Sequence, residues 1–418
     1  MTTHKQLNIG LFGFGVVGEG LYKVLKQTPS LNAAIKKVCI KQPDKKRNAP
    51  AELFTTQPND LLFDNSINVI VEVIDDSEAA FSFVRTALTN GKAVVSASKK
   101  MIAEHLPEIL KLQKQTGLPF LCEAAACASI PVIRNLEEYY DNDLLHSIKA
   151  IVNGSTNFIL TKMFDDGLDF KAALMLAQQL GFAESNPKLD VEGYDAVNKW
   201  SLLLTHAYGI VEHPDNILFT GIQNIQFSDA VVAKEKHYDI KLVAQAKKLQ
   251  NGKVAAFVLP QFVKHDDHLS FVKNEYNGVV IESGFADKQF FYGKGAGSFP
   301  TASAILSDLS ALRYDYKYEY KKLYHHTPHQ LTNDFYVKVY LSFNDLKNIP
   351  REKLVSIEEW HSNGERKYLV GTIAFAELLN GTWWKENDTS LVLMPEPIVE
   401  NLDIIALKKR SLELAGII

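Results

Sequence analysis

The sequence has few of the features that mark secreted, membrane-spanning or metal-clustered proteins. Its three cysteines, Cys39, Cys122 and Cys127, are odd in number and do not match the spacing of a zinc site. No apolar run reaches the ~18 residues of a membrane helix, and the first residues lead into a strand pattern without the apolar stretch of a secretion signal. We therefore expect reduced thiols, a cytoplasmic location and no membrane segment.

The sequence also lacks an excess of charge of either sign. The formal net charge is −4, with 22% charged and 46% hydrophobic residues, which are ordinary values for a globular protein. These values exclude a polyanion-binding surface and an acidic tail, so we expect no nucleic-acid partner. A length of 418 residues suits two to three domains of about 100–200 residues each.

The N-terminal segment has the order strand, glycine loop, helix. Residues 7–13 predict a short buried strand, and a G-x-G-x-x-G sequence follows directly. In a dinucleotide-binding loop the first glycine makes the tight turn, the second admits a pyrophosphate and the third allows close helix packing. Further strands and helices alternate up to about residue 95, which predicts an α/β fold with a Rossmann-type doubly wound parallel sheet. The expected cofactor-binding residues here are Gly13, Phe14, Gly15, Val16, Val17 and Gly18.

The end of the second predicted strand bears on the choice of dinucleotide. An NAD-binding protein usually has an acid at this strand tip to bind the ribose 2′-hydroxyl. Here Lys41 follows Ile40, and three more cations stand at 45–47. This favours the 2′-phosphate of NADP. NAD stays an alternative, because Asp44 could reach a ribose and basic turns are often only solvated.

The segment 181–199 concentrates charge at the start of a predicted core helix. Asp195 and Lys199 are four residues apart and share a helix face, which continues into apolar residues such as Leu202. An exposed ion pair is the ordinary explanation of this spacing. However, Glu184 and Asp190 add two carboxylates just upstream. Such a cluster suits a small zwitterionic substrate, with acids for an amino group and a lysine for an oxygen.

The pattern of predicted helices and strands changes in the rest of the chain. Residues from about 145 to 290 predict a mixed α+β region, and a helix of small and apolar residues opens at Pro300 and Thr301. A short linker at 325–328 precedes strand-like alternation at 335–340, which predicts a small β-rich C-terminal domain. We expect three domains, formed by residues 1–130 with 300–322, by 131–299 and by 325–418.

The chain resembles homoserine dehydrogenase from its first strand to about residue 320. Besides the glycine loop, the resemblance rests on the segments 94–99, 123–126, 153–160, 181–199 and 293–309. It implies reduction of L-aspartate 4-semialdehyde to L-homoserine with NAD(P)H, on the route to threonine and methionine. It also implies a homodimer through the middle domain, whose exposed sheet would otherwise stay uncovered.

The resemblance implies a role for individual residues. Lys199 would donate the proton, held by Asp195, and Lys99 would be a second catalytic lysine between nicotinamide and substrate. Glu184, Asp190, Asp195 and Gly181 would contact the substrate. Lys41, Lys99 and Gly297 would contact the cofactor together with the glycine loop, and a sodium ion would be held at Glu123, Ala126, Ala128 and Ile130.

Three features depart from the family's pattern. Ser98 and Lys100 flank Lys99, and Asp75-Asp76 stand where small residues are common. The Asp-Pro-Gly-type loop of the family's regulatory module does not occur after Val339, so the regulatory role of 325–418 is open. The alternative function is therefore a catalytically inactive, dinucleotide-binding regulatory protein.

Overall fold

The structure, a computed structural model, describes residues 5–142, 144–363, 366–385 and 389–400. Residues 1–4 and 401–418, at the outer ends of the first and third predicted domains, lie outside the described residues. Among the helices that are described, none combines the length and apolar composition needed to cross a bilayer.

The first third of the chain alternates strands and helices, as predicted. The strands at 7–12, 69–72, 93–96 and 120–121 are short, almost wholly buried runs, as is usual for a parallel sheet covered by helices, whereas those at 33–39 and 54–55 are mostly half-buried. The strands are β1 (Leu7–Phe12), β2 (Ala33–Cys39), β3 (Phe54–Thr55), β4 (Val69–Glu72), β5 (Ala93–Ser96) and β6 (Phe120–Leu121). The helices are α1 (Val16–Gln27), α2 (Asn59–Leu62), α3 (Ser77–Thr89), α4 (Lys99–Thr116), α5 (Glu123–Cys127) and α6 (Ile133–Glu138).

These six strands form one sheet in the order β3-β2-β1-β4-β5-β6. Each pair is parallel, and the order reverses direction beside β1. The predicted Rossmann-type doubly wound sheet is thus confirmed. In such a sheet ligands bind outside the carboxyl ends of the strands, where the order reverses.

The middle of the chain is a mixed α+β region, also as predicted. Its helices are α7 (Gly154–Asp165), α8 (Phe170–Gln179), α9 (Lys188–Val191), α10 (Tyr194–Tyr208), α11 (Phe227–Glu235) and α12 (Ser298–Leu312). Its strands are β7 (Leu145–Ile151), β8 (Leu218–Phe219), β9 (Tyr238–Lys248), β10 (Val254–Lys264), β11 (Tyr276–Ser283) and β12 (Asp287–Lys294).

The C-terminal region is rich in strands. It contains β13 (Tyr336–Ser342), β14 (Leu354–Asn363), β15 (Arg366–Ala374), α13 (Phe375–Asn380) and β16 (Ser390–Val399). Two 3-10 turns stand between β13 and β14, where a helix would complete a β-α-β-β-α-β motif. The strand order β16-β13-β15-β14 is that of a ferredoxin-like split βαβ unit.

These C-terminal strands continue the sheet of the middle region. Among the described residues, the second sheet has ten strands, in the order β12-β11-β7-β9-β10-β16-β13-β15-β14 with β8 beside β10. The two regions join where β10 and β16 run parallel at Gln261 and Leu393.

The chain divides into two compact units. Of the described residues, the first unit contains those within 5–142, 198–214 and 293–328, and the second contains those within 144–197, 215–292 and 329–400. The division falls between Val197 and Asn198, so helix α10 begins in the second unit and ends in the first.

Candidate functional site

The glycine loop between β1 and α1 has the geometry that requires glycine. Gly13 has φ +96, and its N–H donates to the Cys39 carbonyl over 3.0 Å. A Cβ on Gly18 would lie 2.3 Å from the Gly13 oxygen, whereas a Cβ on Gly15 would meet no protein atom within 4 Å. Gly13 and Gly18 are thus fixed by the protein, and Gly15 leaves open the space that a phosphate group needs.

The other residues of the loop divide between core and surface. The Phe14 ring is buried and packs edge-on to Phe54, with ring centroids 5.1 Å apart. Val16 begins α1 and is 69% exposed, so its main chain is accessible at the helix N-terminus. The first N–H groups of a helix have no partners within it, and Val16 and Val17 present them beside the loop.

A cleft of about 620 Å³ lies beside this loop. It combines main chain of the loop with the ends of neighbouring strands, which suits a dinucleotide. Its walls include Gly13, Phe14, Gly15, Ile40, Lys41, Lys45, Arg47, Val73, Asp75, Asp76 and Phe83.

Lys41 and Asp76 form an exposed ion pair in this cleft. The Lys41 Nζ donates to Asp76 Oδ2 over 3.0 Å, and Asp76 Oδ1 accepts from the Ala79 N–H at the start of α3. The hydrogen bonds from Ala79 and Lys41 lower the pKa of Asp76. Asp76 therefore caps α3 and also pairs with Lys41, which follows the end of β2.

Lys99 begins α4, directly after the end of β5. It is half-buried, and the neighbouring Ser98 hydroxyl donates to the Ile74 carbonyl over 3.1 Å. Lys100 is exposed, with its Nζ 3.6 Å from Glu104 Oε1 one turn later. Because β1 and β5 end at the same edge of the parallel sheet, Lys99 and the glycine loop share that edge.

Glu72 is a buried carboxyl at the end of β4 that the sequence did not indicate. It accepts from the Ser96 hydroxyl over 2.6 Å and from the Ile74 N–H over 2.7 Å. Burial raises the pKa of Glu72 to about 7, against the opposing effect of these hydrogen bonds. In the apolar run of β4 it looks like an ordinary strand residue, so no local pattern could have identified it.

Asn153 joins two of the predicted substrate-binding carboxylates in the second unit. Its Nδ2 donates to Asp190 Oδ1 over 2.7 Å and to Asp195 Oδ2 over 2.8 Å. Its Oδ1 accepts from the Thr156 N–H and caps α7. At Gly154 a Cβ would lie 2.5 Å from the Glu275 carbonyl. The asparagine-glycine pair therefore orients Asp190 and Asp195, a role that sequence reasoning missed.

The loop that carries the remaining substrate residues is more exposed. Gly181 has φ +77, and the Glu184 side chain is exposed while its carbonyl accepts from Gln178 Nε2 over 3.0 Å. A Cβ on Gly221 would lie 1.8 Å from the Val191 carbonyl, so the loop end packs tightly. The structure thus brings Asp190 and Asp195 together and leaves Glu184 at the surface.

Lys199 lies one turn after Asp195 in α10, with 6% of each residue exposed. The helix continues with Leu202, Leu203 and His206, none of which is exposed. The two charged residues are therefore on a buried helix, which is contrary to the ordinary case of a solvated ion pair.

The C-terminal part of α10 is held by a buried polar network in the first unit. His206 Nδ1 is 2.7 Å from Glu137 Oε1, and Glu137 Oε2 accepts from the Tyr320 N–H over 3.1 Å. Lys322 Nζ donates to the His206 carbonyl over 2.7 Å. Burial is the largest single effect on the pKa of Glu137 and would raise it. The hydrogen bonds from His206 and the Tyr320 N–H, with the nearby charges of His206 and Lys322, together outweigh burial and lower the pKa.

The predicted sodium-binding segment follows β6. Glu123 is buried, and its carboxylate accepts from the N–H groups of Ile133 and Arg134 over 2.8 and 3.0 Å. Ala128 has φ +42, which turns the chain sharply after α5. Asp308 accepts from the Glu123 N–H over 3.0 Å, and burial raises its pKa to about 8. The Glu123 carboxylate is thus engaged with the chain, and Ala126, Ala128 and Ile130 stand at the turn.

Gly297 has φ +116 and precedes α12. The Ser298 hydroxyl donates to the Val16 carbonyl over 2.8 Å, and a Cβ on Gly20 would lie 2.5 Å from that hydroxyl. The start of α12 therefore packs against the start of α1, beside the glycine loop.

Comparison with known proteins gives a consistent result over both units. The family model described as homoserine dehydrogenase matches residues 131–310, and that of the homoserine dehydrogenase NAD-binding domain matches 13–123. The homoserine dehydrogenase of Bacillus subtilis is 35% identical over 317 residues, which cover 74% of this chain and 73% of that protein.

Solved structures agree. A homoserine dehydrogenase from Thiobacillus denitrificans has a TM-score of 0.81 and 26% identity, covering 93% of this chain and 98% of that one. A hyperthermophilic archaeal homoserine dehydrogenase in complex with NADPH has a TM-score of 0.64 and 26% identity, covering 75% of this chain and 99% of that one. These matches agree with the glycine loop and the Asn153 cluster, and they show that the chain belongs to the homoserine dehydrogenase family.

Proposed function

We propose that the protein catalyses the NAD(P)H-dependent reduction of L-aspartate 4-semialdehyde to L-homoserine, a step in threonine and methionine biosynthesis. This proposal rests on the pair of carboxylates Asp190 and Asp195, which Asn153 holds together by two hydrogen bonds. Asp195 stands at the start of the buried helix α10, one turn before Lys199. The substrate is a small molecule with an amino group, which such carboxylates bind.

The chemistry divides between the cofactor and the chain. Bound NAD(P)H supplies the hydride that adds to the aldehyde carbon. The Lys199 ammonium stabilises the negative charge that forms on the aldehyde oxygen and donates the proton that completes the alcohol. Asp195 holds Lys199 in position, and Lys99 stands between nicotinamide and substrate. Asp190, Asp195, Glu184 and Gly181 contact the substrate.

Of the two dinucleotides NAD and NADP, the proposed cofactor is NADP. Support comes from Lys41, Lys45 and Arg47 in the wall of the cleft at the end of β2. The archaeal relative in complex with NADPH is consistent with this choice. The glycine loop, Lys41, Lys99 and Gly297 are the proposed cofactor contacts.

The proposed reaction is tested by following NADPH oxidation with L-aspartate 4-semialdehyde for the wild type and for Lys199→Ala. We expect kcat to fall by about 10²–10⁴-fold, because general acid catalysis contributes this much. The matched control is Lys188→Ala, which removes an exposed lysine of α9 that pairs with Glu192. Wild-type turnover in Lys199→Ala would refute the assignment.

The alternative of an inactive regulatory protein rested on Asp75-Asp76 and Lys100. Asp76 caps α3 and pairs with Lys41, and Lys100 is exposed beside Glu104, so Asp76 and Lys100 each have a structural explanation. No observation favours loss of catalysis.

A sodium ion is proposed at the turn after α5, with carbonyl oxygens of Glu123, Ala126, Ala128 and Ile130 as ligands. Oxygen donors suit such a hard cation, and the sharp turn of the chain at Ala128, where φ is +42, supports the proposal. Replacing sodium by choline should lower the melting temperature. An unchanged melting temperature would contradict the ion site.

Three domains and a homodimer are the proposed organisation of the protein. Residues 1–130 with 300–322 bind the dinucleotide, 131–299 carry catalysis and dimerisation, and 325–418 are a regulatory region, supported by its ferredoxin-like strand order. The proposed state of the protein is a homodimer in the cytoplasm.

A further inference from the structure

Lys241 is a lysine buried within the second sheet. It lies in β9 and is 1% exposed. Its Nζ donates to Asn157 Oδ1 over 3.0 Å and to the Val272 carbonyl over 2.6 Å. Burial lowers the pKa of Lys241 to about 7, because an ammonium group is poorly solvated inside a protein. Lysine is almost never fully buried unless it is paired, so these two bonds are the contacts through which Lys241 acts.

Asn157, in α7, uses both ends of its side-chain amide. Its Oδ1 accepts from Lys241. Its Nδ2 donates over 2.9–3.2 Å to three main-chain carbonyls, those of Val272, Asn274 and Tyr276. An amide turned by 180° would place Oδ1 against these three oxygens, where it would repel them. The bond from Lys241 opposes that turn, because an ammonium group has donors and no acceptor.

The segment 272–276, which Asn157 holds in this way, packs against the start of α7. A Cβ on Gly154 would lie 2.5 Å from the Glu275 carbonyl oxygen, so main chain meets main chain at this point. The Asn274 N–H donates to the Thr161 hydroxyl over 3.0 Å, which ties the segment to the same helix. The position of the segment and that of the start of α7 therefore depend on each other.

The start of α7 is also where the substrate carboxylates are held. Asn153 caps this helix, and its carbonyl accepts from the Asn157 N–H over 3.2 Å. Its amide nitrogen holds Asp190 and Asp195. A shift at the start of α7 therefore moves the amide that orients both carboxylates.

We propose that Lys241 is a positioning residue for substrate binding. It fixes the Asn157 amide, which holds the segment 272–276 against α7 and so keeps Asn153 in place. The inference rests on the proposed function, because Asp190 and Asp195 are the proposed site of the substrate amino group. A buried polar network of this kind specifies one arrangement only while each member keeps its partner.

The kinetic test is Lys241→Met, which keeps an unbranched stem and removes the donors. We expect the KM for L-aspartate 4-semialdehyde to rise by about 10-fold, as for the loss of one hydrogen bond to a charged group. The KM for NADPH and kcat should change little, which separates a positioning role from a general loss of structure. An aldehyde KM equal to that of the wild type would overturn the proposal.

The matched control is Lys92→Met. Lys92 is another buried lysine, and its Nζ donates to the Asp64 and Ile67 carbonyls in the first unit. Lys92→Met should leave the aldehyde KM unchanged. The same rise in both methionine variants would show that loss of any buried lysine has this effect, and would overturn the proposal.

The route through Asn153 is tested by combining Lys241→Met with Asn153→Ala. Residues that act through one network have effects that do not add. The double variant should therefore have the aldehyde KM of Asn153→Ala alone. A KM raised by the product of the two single effects would show that Lys241 acts independently of Asn153.

Hydrogen exchange gives a readout that needs no turnover. In Lys241→Met the N–H groups of Asn274 and Thr156, which donate to side chains of α7 and its cap, should exchange faster than in the wild type. They should exchange at the wild-type rate in Lys92→Met. Lys241→Gln keeps a donor of shorter reach and should give smaller changes in exchange and in KM, which guards against a folding defect in the methionine variant.

Unchanged exchange in Lys241→Met would contradict the proposal. Failure of the proposed reaction would instead appear as a wild type without turnover of L-aspartate 4-semialdehyde, with the faster exchange of Lys241→Met still present.

Discussion

At the scale of single residues, the site depends on side chains that make several bonds at once. Asn153 uses its carbonyl oxygen to cap α7 and its amide nitrogen to hold Asp190 and Asp195. An amide can do this because it offers an acceptor and two donors in one plane. Aspartate has no donor, so it could replace only the cap.

Asn153→Ala should therefore damage both stability and substrate binding. Loss of the cap costs about 1 kcal/mol of stability. Releasing Asp190 and Asp195 should raise the KM for L-aspartate 4-semialdehyde, by about 10-fold if one hydrogen bond to a charged group is lost. The measurements are thermal unfolding and steady-state kinetics.

Asp169→Ala is the matched control for this prediction. It removes the cap of α8, where Asp169 accepts from the Ala172 N–H over 2.7 Å. The hydrogen bonds described for the Asn153 side chain do not involve Asp169. It should lose similar stability with an unchanged KM. If both variants show the same KM, Asn153 acts only as a cap.

At the scale of elements, the ends of β4 and β5 are joined by Glu72 and Ser96. The hydrogen bond between them links the carboxyl ends of these two neighbouring parallel strands. A carboxyl in this buried place is more stable protonated, which is why its pKa is raised from 4.5 to about 7.

This raised pKa predicts a dependence of stability on pH. Since the folded state holds the Glu72 proton more tightly than the unfolded state, its contribution is fully present below pH 4.5 and is lost as pH rises through about 7. The shift corresponds to about 3 kcal/mol. Glu72→Gln resembles the protonated form, so its free energy of unfolding should fall less than that of the wild type between pH 4.5 and 8.

Urea unfolding at several pH values measures this difference. Glu52→Gln, which changes an exposed glutamate of the same unit, should follow the wild type. Parallel profiles for the wild type and Glu72→Gln would show that Glu72 does not bind its proton on folding.

At the scale of the whole molecule, the second sheet unites segments that are far apart in sequence. Its terminal strand β12 carries Tyr292, which is 51% exposed and stacks on Tyr276 with ring centroids 5.0 Å apart. The ring centroid of Phe290, on the same strand, lies 6.2 Å from that of Tyr292. Exposed aromatic surface at a sheet edge is typical of an interface between subunits.

We therefore expect light scattering to give twice the mass of the chain. Tyr292→Glu should shift this mass towards the monomer, because a charge would be buried in the interface. Tyr314→Glu changes a residue of the first unit that is 66% exposed, and it should leave the mass unchanged. A wild type that is monomeric at all concentrations would exclude the dimer.

The sequence by itself determined the features that depend on neighbouring residues along the chain. The glycine loop, the alternating strands and helices, and the shared face of Asp195 and Lys199 all follow from backbone periodicity and from the steric demands of glycine. Tertiary structure alone decided the features that join distant segments. Asn153 meets Asp190 across 37 residues, Glu72 meets Ser96 across 24, and β10 meets β16 at Gln261 and Leu393. Such contacts depend on how elements pack, and no local pattern carries that information.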